Sequence, residues 1–111
     1  MRIAQEERGP AVLLVARGPL IGAEADQLRR RIAKALEDAT GSLVLDLTGV
    51  PLLDSQGLEL LVETTERLIR TGQALKICGT NELLREVFEL TEVASLFEQF
   101  EDADAAVGSL S

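Results

Sequence analysis

Two hydrophobic rhythms alternate along the chain. Short apolar runs at Ala11–Ala16, Leu43–Leu45 and Ala74–Cys78 have the length and continuity of buried strands. Between them, apolar residues recur at i, i+3, i+4 and i+7, as on one face of a helix. Residues Arg2–Glu7 are polar with partial alternation and lead through Gly9-Pro10 into the first apolar run, so the pattern predicts a hairpin with its first strand at a sheet edge. After Gly18-Pro19 the spacing of Ala25, Leu28, Ile32, Ala35, Leu36 and Ala39 predicts a helix over Ala23–Ala39, with Gly41 available as a left-handed stop.

The strand Leu43–Leu45 is expected to end at Asp46, and a turn with Gly49 and Pro51 carries the chain to Asp54-Ser55-Gln56-Gly57. A second helix then runs from Ser55 to about Thr71, with Leu58, Leu61, Val62, Thr65, Leu68 and Ile69 facing inward and Gly72 closing it. Acid-before-base pairs Glu63–Arg67 and Glu66–Arg70 are placed to support its outer face. Beyond the strand Ala74–Cys78, either Thr80 or Asn81 can cap a third helix through Leu83, Leu84, Val87 and Phe88, ending near Leu90. Leu96–Phe100 reads as a last strand, and Asp102–Val107 as a fraying helix behind an acidic cap.

This order predicts a single small α/β domain over residues 1–111, with Gly108–Ser111 its least ordered part. Right-handed crossovers give a mostly parallel mixed sheet of about five strands with about four flanking helices, its central strand covered on both faces, and an N-terminal hairpin. No repeat or low-complexity segment interrupts it.

Composition narrows the chemistry. The net charge of −8 repels nucleic acid and anionic membrane surfaces and favours a basic or mixed-charge protein partner. The chain has no histidine, so neither a Ser-His-Asp nor a Cys-His arrangement can be assembled within it, and the commonest zinc ligand is missing. No metal site and no cofactor are expected. Cys78, the single cysteine, lies in a predicted strand and reads as a buried, inert thiol in a reducing cytoplasm. No stretch approaches the roughly 20 apolar residues of a membrane span. The run Arg29-Arg30-Arg31 reads as a solvated face, because acidic residues surround it.

Candidate chemistry therefore gathers at Ser55. At a helix start its hydroxyl can accept from the N–H of Gly57 or Leu58 and act only as a cap. The flanking Asp46 and Asp54 can stabilise turns, and Gly49 and Gly57 can meet backbone or packing demands.

The segments Leu43–Val62, Gly18–Ile32 and Ala74–Phe100 together resemble the STAS domain, in particular bacterial anti-sigma factor antagonists. The specific element is Asp46-x-x-Gly49-Val50 followed by Asp54-Ser55-x-Gly57-Leu58. The resemblance implies a non-catalytic switch that binds an anti-sigma factor acting also as a serine kinase. Phosphorylation at Ser55 breaks the complex, a separate serine phosphatase restores it, and ATP and Mg²⁺ belong to the partner. It further implies partner contacts at Gly22, Asp54, Gln56, Gly57, Leu58 and Glu59, with Asp46 and Gly49 shaping the loop. Gly57 would leave the helix entrance open to a kinase, and Asp54 would orient the hydroxyl or touch the partner.

Two features depart from the family pattern: Gly18-Pro19-Leu20-Ile21 lacks the acid often found in that loop, and Glu59 replaces a small or apolar residue. An alternative is a constitutive subunit of a lipid transporter or signalling complex, with Ser55 only a cap and Glu59 in the interface. A small hydrolase using Ser55 ranks third, because no histidine is present to activate it.

Overall fold

The computed structural model describes residues 1–38 and 42–110. Five strands form one sheet in sequential order. They are β1 (Arg2–Arg8), β2 (Ala11–Arg17), β3 (Ser42–Gly49), β4 (Leu75–Cys78) and β5 (Phe97–Phe100), interleaved with helices α1 (Gly22–Asp38), α2 (Ser55–Ile69), α3 (Glu82–Leu90) and α4 (Ala103–Gly108). β1 pairs antiparallel with β2 through the predicted hairpin, and every later pairing is parallel. The expected fold class and element order hold.

Sequential strand order sends all the parallel crossovers in one direction, and crossovers of one hand then leave their helices on one face. The packing agrees: α1, α2 and α3 bury Leu28, Ile32, Leu61, Leu84 and Phe88 with Leu14, Leu45 and Ile77 of the sheet. Because side chains alternate across a strand, Leu13, Val44 and Cys78 point the other way and meet Ala106 of α4. The central strand is thus covered on both faces, unevenly. Phe88 and Phe97 meet edge-on with centroids 5.2 Å apart, fastening α3 to β5. On the α4 face, buried Lys76 pairs with Glu98 and lies 5.2 Å from the Phe100 ring centre.

Several boundaries move. β3 continues past Asp46 to Gly49, because Leu47 is buried and Gly49 pairs with Arg17 of β2. α2 ends at Ile69, with Gly72 at φ +76° and the Gln73 N–H donating to Leu68 O, a glycine-closed end. Its inner face is rotated: Leu60 and Thr64 are buried with Leu61, Thr65 and Leu68, whereas Ile69 is exposed, since α2 packs on α1 as well as on the sheet. Glu63 reaches Arg29 of α1 at 3.2 Å. Among the described residues no ion pair joins Glu63 to Arg67 or Glu66 to Arg70. Asn81, not Thr80, caps α3. A 3-10 turn, Ala94–Leu96, takes the first residue expected in β5. Asp102 caps α4 as anticipated. The predicted helix end at Ala39 and the Gly41 stop lie outside the described residues.

Candidate functional site

Parallel strands bring their C-terminal loops to one edge of the sheet. The loop Gly18–Ile21 after β2 and the loop Val50–Asp54 after β3 are stitched together there. Gly18 N–H donates to Gly49 O at 2.9 Å, Leu20 N–H to Leu52 O at 3.0 Å, and Asp54 N–H to Leu20 O at 3.3 Å. The loop after β4 joins them where the Asn81 side-chain amide donates to Pro51 O at 3.0 Å.

Asp54 sits at the centre. It is the N-cap of α2, with extended backbone, and its Oδ1 accepts from Gly57 N–H at 3.0 Å. Its Oδ2 accepts from Gly22 N–H, the first residue of α1, at 3.2 Å. One carboxylate therefore ties two helix starts, where orphan donors and the macrodipole both favour an anion. The Gly57 N–H bond, with that from Gly22, holds its pKa below the usual carboxylate range. This corrects two expectations. Ser55 is not the cap but the first residue of α2, and Asp54 spends its oxygens on backbone N–H groups rather than on the serine hydroxyl.

Ser55 is exposed. Its hydroxyl makes no hydrogen bond among the described residues. Gln56 and Glu59 are exposed beside it and Leu58 is half-buried, which places these expected contact positions on one surface at the start of α2. Gly57 is not part of that surface. It is buried, and a Cβ there would overlap Leu20 O and come within 3.0 Å of Leu20 Cγ and 3.1 Å of Leu53 Cβ. The glycine lets α2 rest on the loop after β2, rather than opening a path to the serine. Gly22 is half-buried at φ +47° and donates to Asp54, so its visible role is to shape the start of α1.

The expected loop residues keep their places. Asp46 Oδ1 accepts from Thr48 N–H at 3.0 Å and from the Thr48 hydroxyl at 2.6 Å. Gly49 lies against Arg17, whose Cγ would be 2.7 Å from a Cβ. Thr48 in turn fills the space beside Gly79, which has φ +75°. The sequence places Gly79 in a turn with Thr80 and Asn81, and does not show that it makes room for Thr48. Sequence reading missed Asn81 as a loop tie and Leu52 and Leu83 as exposed apolar neighbours, 42% and 49% accessible. A Gly directly after a strand and an Asn at a cap are signals that were present in the chain. Cys78 is buried, and burial with nearby Asp46 and Asp102 pushes its thiol up to about 12, the opposite of a nucleophile's environment.

Among the described residues no cluster could hold a metal ion and no helix is long and apolar enough to cross a membrane.

The STAS domain family model matches residues 2–106. The chain belongs to the STAS domain family. Among relatives, BtrV of Bordetella bronchiseptica, classed by name with the anti-sigma factor antagonists, is 24% identical over 109 residues, covering 98% of this chain and 94% of BtrV. The STAS fold here superposes on an anti-sigma factor antagonist from Mycobacterium paratuberculosis with TM-score 0.87 at 23% identity, covering 97% of this chain and 92% of that one. The Bacillus cell fate determinant SpoIIAA in its phosphorylated form gives TM-score 0.75 at 16% identity, covering 99% and 100%. At these identities the superpositions carry the fold.

Proposed function

We propose that the chain is an anti-sigma factor antagonist: a non-catalytic protein that binds an anti-sigma factor acting also as a serine kinase, and that phosphorylation of Ser55 turns off. The observation that carries this reading is the division of labour at the start of α2. Asp54 caps the helix, which leaves the Ser55 hydroxyl without a structural task and exposed beside the stitched loops. BtrV and the mycobacterial protein are anti-sigma factor antagonists by name, and SpoIIAA was solved phosphorylated. These relatives support the same direction.

A phosphate on Ser55 brings about −1.5 to −2 charges to the first turn of a helix, where the macrodipole tolerates an anion. The domain keeps its fold, and the surface formed by Gln56, Leu58 and Glu59 loses its match to the partner. A serine phosphatase resets it. ATP and Mg²⁺ are supplied by the kinase, and the protein works in the cytoplasm. The alternative, a constitutive subunit of a transporter or signalling complex with Ser55 only a cap and Glu59 in the interface, loses one of its two premises, because Asp54 caps α2.

Incubating the protein with its cognate anti-sigma kinase and ATP, then measuring intact mass, should add one phosphate to the wild type and none to Ser55→Ala. Equal modification of both proteins, or of neither, overturns the proposal.

A further inference from the structure

Helix α3 carries more apolar surface than its packing uses. Leu84 and Phe88 are its buried residues. At 100° per residue, Leu83, Val87 and Leu90 form a second stripe beside them. Val87 is half-buried, while Leu83 and Leu90 are 49% and 75% exposed. Single exposed leucines are ordinary, but three aligned positions on a nine-residue helix are not scattered.

The stripe does not stand alone. Asn81, which caps α3, donates its side-chain amide to Pro51 O, so the start of the stripe abuts the exposed Pro51-Leu52 segment that leads to Ser55. The outer border is acidic: Glu82 and Glu86 are exposed on α3 beside the stripe. A second copy would bring the same carboxylates against these, and an anionic membrane would be repelled. A protein face with apolar side chains bordered by Lys or Arg satisfies both the stripe and its rim.

We infer that the docking surface of this protein extends from the Ser55 loop across Pro51-Leu52 onto the Leu83–Val87–Leu90 stripe of α3, and that its occupant is a protein partner presenting apolar side chains rimmed by basic residues. The inference rests on the binding role proposed above. It divides the surface in two: a part next to Ser55 that phosphorylation disrupts, and a part along α3 that phosphorylation does not reach.

A photo-crosslinking amino acid placed separately at Leu52, at Leu90 and, as control, at Glu101 tests this in the native host. The crosslinked peptides are identified by mass spectrometry. The expected result is the same protein captured from Leu52 and Leu90 but not from Glu101, through apolar positions flanked by Lys or Arg. Capture from Leu52 alone, a crosslink to a second copy, a lipid adduct, or no adduct at Leu90 overturns it. The protein identified is then purified and its affinity measured against Leu90→Glu and Ser55→Glu, with circular dichroism to verify folding. Leu90→Glu should weaken binding by roughly tenfold or more, and an unchanged affinity sinks the α3 extension. If Ser55→Glu binds as wild type while Leu90→Glu does not, the α3 surface stands and the phosphorylation switch falls. The reverse pattern retains the switch and removes the extension.

Discussion

At Gly57 the absence of a side chain has a structural cause that can be measured. A Cβ would overlap the backbone oxygen of Leu20 and crowd Leu53, and a carbonyl hydrogen-bonded to Asp54 N–H cannot turn aside as a flexible side chain could. Gly57→Ala should therefore destabilise the fold by about 1–3 kcal/mol despite the better helix propensity of alanine, read as a lower urea midpoint at unchanged slope. A midpoint equal to wild type would show that the two loops part without cost. That contact was not legible in the sequence, because its partner lies in a loop far away along the chain. The same limit applies to the cap. Asp54 and Ser55 are adjacent and both are favoured N-cap types, so local chemistry alone does not choose between them. Asp54 differs from Ser55 in having a second oxygen, which accepts from the Gly22 N–H of another helix while the first caps Gly57.

At the scale of elements, the sequence displayed more. Continuous apolar runs marked the inner strands, which are buried on both faces, and apolar residues at helical spacing marked the three longer helices, each of which buries one face. What the sequence did not record were ends fixed by neighbours, such as β3 held to Gly49 by pairing with Arg17, and the rotation of α2 toward α1. The Asp54 bridge between α1 and α2 is another such tertiary feature, and it makes the union of these helices sensitive to pH. Its carboxylate is held below the usual range by Gly57 and Gly22 N–H groups. A carboxylate whose folded-state pKa is depressed contributes stability above its unfolded pKa and loses it as pH falls through the folded value. Stability from this group is thus intact at neutral pH and declines below about pH 4. Asp54→Asn should flatten that acid slope. It keeps an oxygen for Gly57 N–H but cannot offer a second to Gly22, so hydrogen exchange should quicken at the start of α1 more than at the start of α2. Equal exchange at both would disprove the bridge.

For the molecule as a whole, the net charge of −8 and the proposed phosphorylation switch act in opposite directions on binding. Exposed Glu59, Glu66, Glu82, Glu86 and Glu89 on α2 and α3 outnumber the exposed Arg67 and Arg85 of the same helices, with Glu63 paired to Arg29, so the net field of the two helices that flank the Ser55 loops draws a basic partner toward that side. Rates of such steered encounters fall as salt screens the charges. Stopped-flow association with the proposed anti-sigma partner should accordingly slow several-fold between about 20 mM and 500 mM salt, with dissociation changing less. A phosphate on Ser55 makes the protein more negative and, by the long-range field alone, would speed the encounter. If the proposed switch operates, loss of binding must then arise after contact, where a dianion stripped of water is pressed against a surface shaped for a hydroxyl. The phosphorylated protein should therefore show an association rate equal to or above that of the unmodified form at low salt and a much faster dissociation. A fall in association rate with unchanged dissociation would mean that phosphorylation works by closing the surface before the partner arrives.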